Sequence, residues 1–296
     1  ARRIQRMNVL SQLRLRPRRA LLAASALVLV VASWVILGAA PRPAAGGSPH
    51  GSARKVATTH PSVATSPSTM PAGSAIVVGI GDSVTAATAC GCTGFVESYA
   101  ANLPAAAGGP ARAVNLGTHG LPAAGLRTVL TTPGPTSTGV AEGDILLVTI
   151  GANDLTPLLS QWQVSGCPVA CYAPAVDAVG SDLSDILAAA KSLRGHRPTR
   201  VLVTDYWNVF ADGDVALDSD GPAYLRWSDE LTRALNTVIC TVARDAGATC
   251  VDLYGPFKGN GSVNPTTLLA ADGDHPNAAG NQVITSALMA ALPPAG

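Results

Sequence analysis

The run AIVVGI at Ala75–Ile80, followed at once by GDSV at Gly81–Val84, decides how the rest of the chain reads. Apolar residues and glycine without polar alternation describe a strand buried on both faces, and the small residues at its end allow a tight turn. Four further runs have the same character: Ala113–Leu116, Asp144–Ile150 (DILLVTI), Arg200–Thr204 (RVLVT) and Thr249–Leu253 (TCVDL). Between the later ones stand helical patterns at Val176–Leu193 and Tyr224–Ala246, and Asn277–Leu292 closes the chain with another. Repeated strand then helix predicts an α/β fold, a mainly parallel five-stranded sheet covered on both sides, with right-handed crossovers. In such a sheet the place to look for chemistry is the loops beyond the carboxyl ends of the strands.

The globular part begins only at that first strand, so residues 75–296 are expected to form one domain. The first 19 residues hold seven Arg and no acid, leaving 13 basic against 19 acidic residues in the remainder. The mildly acidic body carries no basic stripe that suggests nucleic acid. Residues Ala20–Ala40 run for 21 positions without a charge, enough helix for roughly 30 Å of hydrocarbon. Arg14, Arg16, Arg18 and Arg19 precede it and place residues 1–19 in the cytoplasm and everything after Ala40 outside. The segment is long for a cleaved leader, which favours a retained anchor over a signal peptide, and either one exports the domain. Met7 stands as a plausible translation start. Pro41–Ser74, dominated by Pro, Ala, Gly, Ser and Thr, has too little to bury and reads as a disordered tether, with His50 and His60 solvated inside it.

All six cysteines follow the apolar segment, on the side expected to be oxidising. Six allow 15 pairings, and proximity suggests Cys240 with Cys250, Cys167 with Cys171 and Cys90 with Cys92. A zinc site is the rival reading, but the C-x-C and C-x3-C spacings do not fit the paired C-x2-C pattern. The acidic stretch Asp212–Asp220 fails as a calcium loop, because a loop aligned on Gly221 would begin at Ala216 and end at Trp227.

Ser83 sits where a strand turns toward an expected helix whose dipole would favour developing negative charge. Taken alone it is as well explained as a helix cap. The dinucleotide pattern G-x-G-x-x-G fails at Val84, and the G-x-S-x-G elbow fails because Thr85 follows Val84 where the second glycine would stand. A serine nucleophile needs a base. His196 has no acid nearby, whereas His275 lies in DGDHPN (Asp272–Asn277), where Asp272 can turn back onto Nδ1 and leave Nε2 to take a proton. Asp274 is a less well placed alternative partner. Donors for an oxyanion are available in NLGTHG (Asn115–Gly120) and GAND (Gly151–Asp154), through the Gly120 backbone and the Asn153 amide, although turn chemistry alone accounts for both segments.

These four blocks, in this order and across the whole domain, resemble the SGNH, or GDSL-type, hydrolase family. The resemblance implies the flavodoxin-like, three-layer αβα sandwich of that family and an esterase or lipase activity without metal or organic cofactor. It implies Ser83 as nucleophile and oxyanion donor, Gly120 and Asn153 as further donors, His275 as general base and Asp272 as its partner. Val84 departs from the Leu or Ile that many members carry, and His119 is expected to be a loop residue. Tyr206 and Trp207, at the end of the fourth strand, are candidates for the acyl pocket, as is Trp162; an aromatic there serves a core equally well. Lipids and acetylated polysaccharides are both open as ester substrates, a monomer is expected, and membrane contact is expected only through the N-terminal segment. Transfer of the acyl group to a cell-envelope sugar or lipid, and a non-catalytic surface-tethered binding domain, are the competing functions.

Overall fold

A computed structural model describes residues 74–104 and 109–292. The basic N-terminus (1–19), the apolar segment (20–40) and all of the tether except Ser74 lie outside the described residues. Among the described residues no helix is long and apolar enough to cross a membrane.

Strand β1 (Ile76–Gly81) leads through a turn-rich loop to α1 (Phe95–Ala101), then β2 (Arg112–Gly117), α2 (Ala123–Thr131), α3 (Pro135–Glu142) and β3 (Ile145–Thr149). A 3₁₀ turn at Asn153–Leu155 and α4 (Pro157–Ser165) precede the long α5 (Val169–Arg194), which returns to β4 (Arg200–Thr204). Helices α6 (Gly213–Ser219) and α7 (Gly221–Asp245) lead to β5 (Thr249–Val251), α8 (Tyr254–Lys258), a second 3₁₀ turn at Thr266–Leu268 and α9 (Ala278–Ala290). All strands are parallel, in the order β2-β1-β3-β4-β5. This is the expected five-stranded α/β fold of the SGNH type.

The two helical layers follow from strand alternation. Val78 points toward Gly139 and Gly143 around α3, whereas its neighbour Gly79 faces Val96 of α1. Helices α2, α3, α5 and α7 pack in succession on the first side, and α1, α9 and α8 pack together on the other. Strand interiors such as Val77, Ile80, Leu147, Val148 and Leu202 are fully buried, which explains runs without polar alternation. Two glycines close the site end of the sheet. Gly81 adopts φ 139°, and a Cβ there would meet the Thr149 carbonyl oxygen at 1.9 Å. At Gly117, paired with Gly81, a Cβ would meet the Ala86 nitrogen at 2.3 Å.

The three expected disulfides are all present, Cys90–Cys92, Cys167–Cys171 and Cys240–Cys250, the last joining α7 to β5. One expectation needs correction: no α-helix follows Ser83. Residues 82–90 form successive turns, because Ala87 and Ala89 take left-handed φ of 52° and 64°, and the next helix begins only at Phe95. The stabilisation of Ser83 by a helix dipole therefore falls away. Helix α5 also starts at Val169, seven residues before the expected Val176, and runs through Pro174.

Candidate active site

The turn after β1 is held by a buried pair. Asp82 Oδ1 accepts the Val84 backbone N–H at 3.0 Å, and Oδ2 accepts the Tyr206 hydroxyl at 2.5 Å. Burial pushes the Asp82 carboxyl up to about 7, against the lowering effect of those two hydrogen bonds. Burial and the neighbouring Asp82 raise the Tyr206 phenol in turn, so the phenol keeps its hydrogen and donates it to Asp82. With the residues on both sides fixed, the Ser83 hydroxyl has no hydrogen-bond partner among the described residues and stays reachable at 8% exposure.

The second part is the loop before α9. Leu269 bridges Pro276 in antiparallel fashion, and the Ala270 N–H donates to the His275 carbonyl at 2.7 Å. Within this narrow loop Asp272 Oδ1 accepts the backbone N–H groups of Asp274 and His275, both at 3.0 Å, and Oδ2 lies 2.7 Å from His275 Nδ1. Burial raises the Asp272 carboxyl, but these hydrogen bonds outweigh it and hold the group below its ordinary value. Asp274 Oδ2, at 3.9 Å from the ring, is beyond hydrogen-bond reach. The loop is braced from below. The Asp212 N–H donates to the Gly273 carbonyl at 2.7 Å, and the Asp212 carboxylate forms a buried 2.6 Å ion pair with Lys258.

The loops after β2 and β3 complete the rim. Asn115 Nδ2, within β2, donates to the Thr85 carbonyl at 2.8 Å, tying that strand to the serine turn. Both carboxylate oxygens of Asp154 accept the Ala123 N–H, and Asn153 Nδ2 donates one hydrogen to the Leu121 carbonyl at 3.2 Å, leaving its second free. The backbone N–H groups of Ser83 and Gly120 have no partner among the described residues. Gly120 is exposed, with φ 71°, and lies one residue from the carbonyl that Asn153 touches.

Ser83, Asn153, Asp272 and His275 line one cavity of about 490 Å³, together with Tyr206, Trp207 and Trp162. Gly120 stands outside that lining. Tyr206 and Trp207 are each 1% exposed, so they contribute edges to a wall whose rings belong to the core: the Tyr206 hydroxyl is engaged by Asp82, and Trp207 stacks on Phe257 at 4.4 Å. Trp162 is half-buried and meets the Tyr224 ring edge-on at 5.3 Å. Sequence reasoning missed Phe210 and Tyr224 in the lining and the bracing Lys258, because a single loop aromatic, an aromatic on a helix and an isolated lysine carry no signal of a distant loop. His119 is a loop residue as expected, although its ring centroid stands 6.1 Å from that of His275.

A hydroxyl free of partners among the described residues, an imidazole held by a carboxylate and unspent donors are gathered in loops at one edge of a parallel sheet, an arrangement suited to acyl transfer. Residues 80–283 match the model of the GDSL-like lipase/acylhydrolase family, and the chain belongs to that family. The fold is similar to that of a lipase from a goat rumen metagenome (TM-score 0.61, 18% identity, covering 73% of this chain and 96% of that one). It is also similar to an extracellular lipase from Streptomyces rimosus (0.52, 19%, covering 74% and 100%). A third likeness is to an acetylxylan esterase from Geobacillus stearothermophilus (0.51, 17%, covering 75% and 94%). Comparison with curated proteins gave no match.

Proposed function

We propose that this ester hydrolase works through an acyl-enzyme on Ser83, outside the cytoplasmic membrane. The observation that carries the reading is the 2.7 Å contact between Asp272 Oδ2 and His275 Nδ1, with Ser83 on the same cavity. That contact fixes the tautomer in which Nδ1 carries the hydrogen and Nε2 is the base. His275 Nε2 takes the Ser83 proton as Oγ attacks the ester carbonyl. The oxyanion accepts from the Ser83 and Gly120 backbone N–H groups and from the free hydrogen of Asn153 Nδ2. When the tetrahedral intermediate collapses the alcohol leaves with the proton held by His275, and water repeats the two steps.

Export is supported by the apolar segment at residues 20–40 with its preceding arginines and by the three disulfides, which persist in oxidising surroundings. The structural likenesses include both lipases and an acetylxylan esterase, and a cavity of about 490 Å³ has room for short or medium acyl groups. Turnover of p-nitrophenyl esters of increasing chain length by the full chain, lost in Ser83→Ala, tests the reading. Turnover that survives in Ser83→Ala defeats it, and protease accessibility on intact cells tests the location.

A further inference from the structure

Charge is distributed unevenly across this domain. Residues 75–296 carry 19 acidic and 10 basic side chains. Six of the ten basic ones lie at the amino-terminal edge of the sheet, away from the cavity: Arg112 and Arg200 open β2 and β4, Lys191 and Arg194 end α5, Arg197 follows it, and Arg244 ends α7. Of the other four, Arg127, Arg233 and Lys258 are paired with carboxylates, and Arg226, exposed on α7, lies outside the cavity lining. At the opposite edge the cavity contains no Lys or Arg, and the accessible carboxylates of Asp220, Asp272 and Asp274 share its rim with His275. Only Asp272 among these three has the imidazole within hydrogen-bond reach. Beside them stands an aromatic wall, with Trp162 half-buried against Tyr224 and Phe210 stacked on Trp227 at 5.6 Å.

A concave site lined by one sign of charge focuses the field and concentrates counter-charged ligands, and aromatic faces attract cations further. We propose that this cleft selects esters by charge, taking those with a cationic substituent ahead of neutral isosteres and rejecting anionic ones. The inference rests on the ester-hydrolase reading of the cavity for its substrates, but the electrostatic selection stands apart from the chemistry. Phosphate-bearing and uronate-bearing esters fall among the disfavoured class.

Hydrolysis by the full chain of three acetates of similar size tests it: choline acetate, 3,3-dimethylbutyl acetate and 2-sulfoethyl acetate. The expected order of kcat/KM is cation, neutral, anion, with the first exceeding the last by about tenfold or more at low ionic strength. The spread narrows in high salt, where the Debye length falls to about 3 Å, and it narrows again in Asp220→Asn. Equal rates or an anionic preference overturn the proposal. Binding to the full-length Ser83→Ala variant, followed by tryptophan fluorescence with phenyltrimethylammonium and benzenesulfonate, separates it from the catalytic reading. Tighter binding of the cation without turnover of any ester removes the hydrolase mechanism and keeps the charge selection. Turnover without charge ranking, or equal binding of both probes, removes the charge selection alone.

Discussion

His275 is gripped twice by Asp272, through the ring at 2.7 Å and through the backbone N–H at 3.0 Å, by the two different oxygens of one carboxylate. The side chain that orients the imidazole therefore also shapes the loop presenting it. Asp272→Asn keeps the volume but removes the charge that stabilises an imidazolium, and is expected to lower kcat by about 10³-fold while leaving KM close to its original value. A rise in KM of the same size with kcat unchanged would assign Asp272 a binding role in place of an orienting one.

Tyr206 donates a buried 2.5 Å hydrogen bond to the aspartate beside the nucleophile. Tyr206→Phe leaves the Asp82 carboxyl without that donor, a loss of about 1–3 kcal/mol. Thermal unfolding should show a Tm lower by about 5 °C. An unchanged Tm would mean that the pair contributes nothing to stability.

Asp205 accepts the Leu253 and Tyr254 backbone N–H groups through Oδ1, and burial pushes its carboxyl up to about 7. A raised carboxyl pKa means the folded state holds the proton more tightly than the unfolded one. Stability present near pH 4 is then lost as pH rises through about 7. Asp205→Asn keeps the accepting oxygen and removes the titration. Its unfolding free energy should fall less between pH 5 and 8 than that of the unaltered chain, with Asp82, Asp154 and Asp274, whose carboxyls burial also raises, contributing to the decline that remains. Parallel profiles would contradict the buried protonated carboxyl.

Two glycines with positive φ are expected to respond very differently to alanine. At Gly81 the new Cβ has no room against the Thr149 carbonyl, so Gly81→Ala should cost about 4 kcal/mol or more. At Gly120 nothing lies within 4 Å of the Cβ position, so only backbone strain of about 1–2 kcal/mol remains. Denaturant titration of both variants measures the difference.

Much of this was legible in the sequence for a physical reason. Strands buried on both faces must be apolar throughout, so β1, β3 and β4 announce themselves, and local motifs such as DGDHPN fold back on themselves without help. The Asp272–His275 contact is of that kind. What was illegible depends on distance along the chain. Tyr206 lies 124 residues from Asp82, and Lys258 reaches Asp212 from 46 residues away. The turns after Ser83 escaped because alanine favours helix, whereas Ala87 and Ala89 adopt left-handed φ just before the Cys90–Cys92 bridge, with Gly94 close to Ala87. Helix α5 was expected from apolar spacing to begin at Val176, and that spacing does not register its first turns, which run through Pro174. It begins at Val169, where the Cys167–Cys171 bridge and the 2.9 Å hydrogen bond from Trp227 Nε1 to the Cys167 carbonyl anchor its first turn.

The most direct test of the central claim is to treat the full chain with a fluorophosphonate and map the adduct by mass spectrometry. The account expects a single modified residue, Ser83, with labelling abolished in Ser83→Ala and strongly slowed in His275→Ala. An unlabelled Ser83 in a folded chain, or an adduct on another serine that tracks esterase activity, would contradict it.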